Sequence, residues 1–222
     1  MKVVIFGATG MVGQSALIEC ERDAGVTEVL AVVRKPSGLQ RGKVRELVHQ
    51  DFLDFRPVAD ALTGFDACFW CLGVTSAGRS EADYTRVTHD FTVAAAQVLA
   101  ERNPQMTFVF VSGAGTDASS KTMWARVKGR AEDAVAALPF RAVYLFRPAI
   151  IRPEEGVRSK TRAYRLGYAV LAPLFPLIKL LAPAHATTST RVGRAMLAAA
   201  RQGAGKTILE NQDIDALGQS AA

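Results

Sequence analysis

Short apolar runs, each ended by glycine or a polar loop, alternate along this chain with longer stretches whose apolar residues recur at helical spacing. Val3 to Phe6 is an unbroken apolar run cut off by Gly7, the pattern of a strand buried on both faces of a parallel sheet. Good helix formers with one apolar side follow over about 11–22. Val29 to Val33 and Val44 to Val48 read as the second and third strands, and a short helix is predicted near Pro57 to Leu62. Asp66 to Cys71 is a fourth strand. Glu81 to Arg102 reads as a long helix, with Phe91, Ala95, Val98 and Leu99 at core spacing. Met106 to Val111 is the fifth strand, Ser119 to Ala137 a helix and Arg141 to Phe146 the sixth strand. Thr190 to Arg201 is a further helix, Lys206 to Leu209 a last short strand, and Asp213 to Gln219 a last helical turn or two. This alternation implies the α/β class and a doubly wound parallel sheet. At 222 residues the chain suits one domain, 1–222. No internal repeat or low-complexity segment appears.

The first strand runs into Gly7-Ala-Thr-Gly10-Met-Val-Gly13, glycines at three-residue spacing opening a helix. Gly7 permits the turn without a Cβ clash, Gly10 permits close backbone approach to an anion, and Gly13 lets the helix lie close on the strand. Unsatisfied N–H groups and the helix dipole at that point favour a pyrophosphate. The spacing differs from the G-x-G-x-x-G fingerprint, but the strand–turn–helix context is the one that fingerprint requires. Gly7, Thr9, Gly10, Met11 and Val12 are therefore expected to line a pyrophosphate.

In a fold of this kind the carboxyl end of the second strand faces an adenosine ribose, where an acid suits a free 2′-hydroxyl and a base suits a 2′-phosphate. Glu28 lies at the wrong end of that strand; Arg34 and Lys35 lie at the right one. The sequence thus favours NADP(H) over NAD(H), against the plainer reading of a solvated surface pair. Asp51 and Phe52, just past the third strand, could flank an adenine, or Asp51 could cap the short helix that follows. Leu72, Gly73 and Val74 leave the fourth strand on the same edge, facing the ribose. Tyr84 and His89 read as packing or surface groups.

An apolar fraction of 49% and a charged fraction of 22% are ordinary for a globular protein. A net charge of +6 permits acidic partners, but no Lys/Arg block or recognised motif accompanies it, so nucleic-acid binding is not expected. The N-terminus reads as a core strand rather than a signal peptide, which points to a cytoplasmic protein. Cys20, Cys68 and Cys71 are scattered and read as reduced thiols; no His/Cys cluster has metal-site spacing. Tyr164 to Leu181 is apolar but is interrupted by Pro173, Pro176, Arg165 and Lys179. That argues against a membrane span and for a helical lid or substrate-side segment at about 152–186. A dimer face, a protein-partner surface and an interfacial membrane contact remain open for it.

Together Gly7-Ala-Thr-Gly-Met-Val-Gly13, Cys71-Leu-Gly73, Ser112, Lys128 and Arg147-Pro148 resemble the short-chain dehydrogenase/reductase superfamily, in its atypical branch with NAD-dependent epimerase/dehydratase-like domains. Val127-Lys-Gly-Arg-Ala-Glu132, Phe146-Arg-Pro148 and the tail from Leu209 to Gly218 look closest to the Tat-interacting oxidoreductase-like proteins. The resemblance spans nearly the whole chain and implies a Rossmann fold with a small helical C-terminal region on the substrate side. It also implies that Ser112 polarises a carbonyl, that Lys128 holds the nicotinamide ribose, and that Pro148 and Ile150 lie near the nicotinamide. The superfamily's catalytic tyrosine stands four residues before the lysine; here that position is Trp124, whose indole N–H is a donor only. Tyr84 and Tyr144 lack the lysine spacing. Two readings follow: an NADP-dependent oxidoreductase or epimerase-like enzyme acting on a small carbonyl substrate, or a catalytically silent NADPH-sensing protein that holds a partner.

Overall fold

The apolar run at the start of the chain becomes β1 (Lys2–Phe6), the central strand of the molecule, with Val3 to Phe6 wholly excluded from solvent. The computed structural model describes residues 1–154, 157 and 185–221. After β1 come α1 (Met11–Arg22), β2 (Glu28–Val33), β3 (Val44–Val48) and β4 (Ala67–Trp70). Next are α2 (Glu81–Thr85), a π-helical turn at Arg86–Asp90, α3 (Phe91–Arg102), β5 (Thr107–Val111), α4 (Met123–Ala136) and β6 (Ala142–Arg147). The chain continues through β7 (Ile150–Arg152), β8 (Ala186–Thr188), α5 (Ser189–Gln202), β9 (Ile208–Glu210) and α6 (Asn211–Ser220). Seven strands form one parallel sheet in the order β3-β2-β1-β4-β5-β6-β9. This is the doubly wound Rossmann arrangement, with its switch point between β1 and β4, where ligands bind outside the carboxyl ends of the strands.

Period-two alternation divides the core between the two faces. Val3, Ile5, Val29 and Ala31 pack with α1, α5 and Ile214 of α6. Val4, Phe6, Leu30, Val32 and Trp70 pack with α3, with Val135 of α4 and with Phe52, Phe55 and Leu62. Phe6 meets Phe55 edge-on at 5.6 Å and lies 4.4 Å from Trp70. Register sets the working edge: Phe6 pairs with both Val32 and Trp70, so Gly7, the residues after Val33 and Cys71-Leu72 all emerge side by side.

Several boundaries differ from the sequence reading for local reasons. The helix expected from Ser119 begins at Met123, because Asp117 Oδ1 accepts bonds from the Ser119 N–H (2.8 Å) and hydroxyl (2.7 Å) and holds 117–120 as a turn. The expected helix near Pro57 is two single 3₁₀ turns, Arg56–Val58 and Asp60–Leu62. Asp51 caps neither; its Oδ1 accepts from Leu53 N (3.0 Å) in a turn of its own. The long helix over 81–102 carries a π turn, within which Thr88 is buried and its carbonyl accepts from Thr92 Oγ1 at 2.8 Å. Glu210 and Asp213 form a capping box that starts α6 at Asn211, earlier than expected. The parallel pair β7–β8 had no sequence signal. The lid expected at about 152–186, with its apolar stretch 164–181, lies almost wholly outside the described residues. Among the described residues no helix is long and apolar enough to cross a membrane.

Candidate functional site

The glycine turn closes on itself before it presents anything. Gly10 N–H donates to Gly7 O at 2.8 Å, and Gln14 Nε2 braces Thr9 O at 3.0 Å. Gly7 has φ +78°, and a Cβ there would sit 2.7 Å from the backbone of Cys71 and Leu72. A Cβ on Gly13 would lie 2.2 Å from Gly7 O. Only glycine therefore lets α1 start directly behind the turn. Gly10 is the N-cap and supplies no side-chain acceptor. The first intrahelical bond of α1 is made by Gln14 N to Gly10 O. The N–H groups of Met11, Val12 and Gly13 are thus first-turn donors with no intrahelical partner, pointing where an anion would sit. The side chains of Met11 and Val12 pack on the core, so those residues offer backbone only.

A cleft of about 910 Å³ opens beside this turn. Gly7, Ala8, Thr9 and Gln14 form one wall, and the β2 exit from Val32 to Ser37 forms another. Leu39, Gln50, Phe52 and Leu72 complete it. Arg34 and Lys35 are exposed on its rim. Nearby cations are occupied: Arg41 bonds Glu21 (2.7 Å), Lys43 donates to Asp23 O (2.6 Å) and Val26 O (2.8 Å), and Arg45 pairs with Glu28. Among the described residues Arg34 and Lys35 alone of the cations in that segment have neither a side-chain hydrogen bond nor an ion-pair partner. Glu28 sits at the amino end of β2 between Lys2 and Arg45, remote from the cleft, as its sequence position implied. A carboxylate does meet the loop after β2: Glu46 accepts from the Ser37 hydroxyl (2.6 Å), Ser37 N (3.1 Å) and Leu39 N (2.6 Å). Those bonds, the Ser37 hydroxyl first, hold its carboxyl below the usual range.

The expected adenine pair separates. Phe52 is 2% exposed and packs at a tilt against Phe55 and edge-on against Phe91, contributing only part of the cleft wall. Asp51 is exposed and turned to Leu53 N; its neighbour Gln50 reaches the cleft instead. Leu72 lines the cleft, whereas Gly73 and Val74 lie beyond its lining.

Farther along the same edge, β5 and β6 end side by side. Ser112 N donates to Phe146 O (2.8 Å) and Ala114 N to Pro148 O (3.0 Å). Lys128, projecting from α4, donates to Ser112 O. Burial pushes its ammonium down to about 8, an effect that Glu132 one turn on partly offsets. Glu132 is committed elsewhere: Arg147 grips it with Nε (3.1 Å) and Nη2 (2.5 Å), and the Ser112 hydroxyl donates to its Oε1. Ser112 is 6% exposed. Its hydroxyl is turned inward to the buried carboxylate of Glu132, with Phe146 O at 3.2 Å. The lysine–glutamate spacing of four was the available signal for this cluster. Trp124 lies against the loop after β5, its ring 3.7 Å from where a Gly115 Cβ would be. Tyr144 Oη accepts from Ala204 N (3.3 Å) just before β9, at the amino edge of the sheet, and Tyr84 is buried in α2. Neither replaces the missing acid. Pro148 is buried beside Gly113, and Ile150 is exposed on β7. The three thiols are free; burial pushes all of them up, Cys71 to about 12. Among the described residues no group of three or more His, Cys, Asp or Glu could hold a metal ion.

This geometry matches known proteins at three levels. A family profile described as NAD(P)H-binding matches residues 7–154. Protein HTATIP2 of Rattus norvegicus is 29% identical over 183 residues, covering 76% of this chain and 75% of that protein. Protein FMP52-2, mitochondrial, of Scheffersomyces stipitis is 29% identical over 166 residues, covering 73% and 72%. Among solved structures, a short-chain dehydrogenase/reductase superfamily protein from Agrobacterium tumefaciens with bound NAD superposes with a TM-score of 0.68 at 13% identity, covering 94% of this chain and 76% of that one.

Proposed function

The chain belongs to the NAD(P)H-binding family, and from that premise we propose that it binds NADP(H) in preference to NAD(H) and acts as an oxidoreductase or epimerase-like enzyme on a small carbonyl substrate. The observation that carries the cofactor choice is the pair of cations without partners, Arg34 and Lys35, on the rim of the cleft. A 2′-phosphate would satisfy both; a bare ribose would satisfy neither. The unpartnered N–H groups of Met11 and Val12 suit the pyrophosphate, and Thr9, Gly10 and Leu72 shape its approach. The dinucleotide, when bound, supplies or accepts a hydride. Lys128 would hold the nicotinamide ribose, with Pro148 and Ile150 at the nicotinamide end.

A second reading has its own support. Trp124 in the tyrosine position and the inward-turned Ser112 hydroxyl favour a protein that responds to NADPH without turning a substrate over. Titration of the purified protein with NADPH and NADH, followed by nucleotide fluorescence and repeated on Arg34→Ala, tests the cofactor choice. Equal affinity for both nucleotides would refute it. Trp124→Tyr separates the two functions: turnover gained across a panel of carbonyl substrates supports the enzyme, and none supports the sensor.

A further inference from the structure

Glu46 is the one acidic residue between Arg34 and Glu46 itself, and it is not spent on the cations beside it. It stands at the middle of β3, across from Ala31 of β2, and reaches to the loop that follows β2. Both carboxylate oxygens are used there: Oε1 takes the Ser37 hydroxyl (2.6 Å) and Leu39 N (2.6 Å), and Oε2 takes Ser37 N (3.1 Å). Two consequences follow. The loop bearing Arg34, Lys35 and Ser37 is tied at its centre, while Arg41, bound to Glu21, ties the chain beyond it to α1. And Glu46, which accepts from three loop donors, forms no ion pair with Arg34 or Lys35, so it leaves both cations free for a 2′-phosphate.

We propose that Glu46 is the positioning residue for dinucleotide discrimination: by holding Ser37 and Leu39 it keeps Arg34 and Lys35 presented to a 2′-phosphate. The proposal rests on the NADP(H) reading above. Without the tie, the loop samples conformations in which the two cations leave the rim. Apparent affinity then falls by the fraction of molecules still competent. That loss touches the phosphate-dependent part of binding alone, because the pyrophosphate donors belong to α1 and the glycine turn.

The test compares NADPH and NADH dissociation constants for wild type, Glu46→Ala, Glu46→Gln and Ser37→Ala, each checked for an unchanged far-UV spectrum and melting temperature. The expected result is an NADPH constant about tenfold weaker in Glu46→Ala, in line with a competent fraction near a tenth. The NADH constant should stay within about twofold. Ser37→Ala, which removes one of three bonds, and Glu46→Gln, which keeps a carbonyl acceptor, should fall between. Three outcomes overturn the proposal: an unchanged NADPH/NADH ratio in Glu46→Ala, equal weakening of both nucleotides, or tighter NADPH binding, which would make the carboxylate a repulsive element. Wild type with no NADPH preference would overturn the underlying cofactor reading first, and this one with it.

Discussion

Replacing Lys128 by methionine should stabilise the protein at neutral pH and cease to do so in alkali. Lys128 is largely enclosed, donates to Ser112 O, and lacks a carboxylate of its own, because Glu132 is held by Arg147 and Ser112. Burial therefore brings the ammonium down from 10.5 to about 8. A folded pKa below the unfolded one means that the unfolded chain binds the extra proton between those two values. The stability contributed by this group is thus fully present above the unfolded value, and is lost as pH falls through the folded one. The gap corresponds to roughly 3 kcal/mol against a neutral side chain of the same size. Methionine removes that cost but also removes the bond to Ser112 O, worth about 1 kcal/mol. The net expectation at pH 7 is a gain of about 2 kcal/mol, or roughly 4–8 °C in melting temperature for a chain of this size. By about pH 10.5 the variant should be equal to wild type or slightly less stable. Denaturant unfolding of both proteins across that range is the assay, and their difference cancels other titrating groups. A variant less stable than wild type at pH 7, or a difference that does not change with pH, would refute the reasoning. Weaker NADPH binding by the stabilised variant would show a functional group kept at the expense of stability.

Other substitutions follow from the same geometry. Arg34→Ala should weaken NADPH roughly ten- to a hundredfold, the span for one charged hydrogen-bonding partner, and leave NADH nearly unchanged in the fluorescence titration. Gly13→Ala puts a methyl 2.2 Å from Gly7 O; it should cost about 1–3 kcal/mol in chemical denaturation and weaken both nucleotides alike, because it displaces the turn rather than the cations. Glu132→Gln breaks a buried pair whose side chains are 3% and 18% exposed; a loss of about 3–5 kcal/mol is expected, seen as a lower urea midpoint.

β1, β2 and β4 were legible because each carries a continuous apolar run that is sharply terminated; β3 and α1 fall within the bounds that periodicity set, whereas β7 and β8 gave no such signal. The glycine turn was legible for the same reason, since its residue types are demanded by backbone sterics that act locally. Placing Arg34 and Lys35 on the ligand edge needed only strand direction. What the sequence could not supply was the fate of each polar group. Nothing along the chain indicates that Glu46 reaches back nine residues to Ser37, that Ser112 points into Glu132, or that Gln50 rather than Asp51 faces the cleft. Tyr144 lacks the lysine spacing in the sequence, and the parallel register shows where its hydroxyl goes instead, to Ala204 N before β9. Apolar pattern and glycine sterics are local properties and determine elements, their order and the ligand edge. Hydrogen-bond partnership and burial arise only when distant segments meet, and so it was the tertiary structure that decided which charges are spent within the fold and which remain for a ligand.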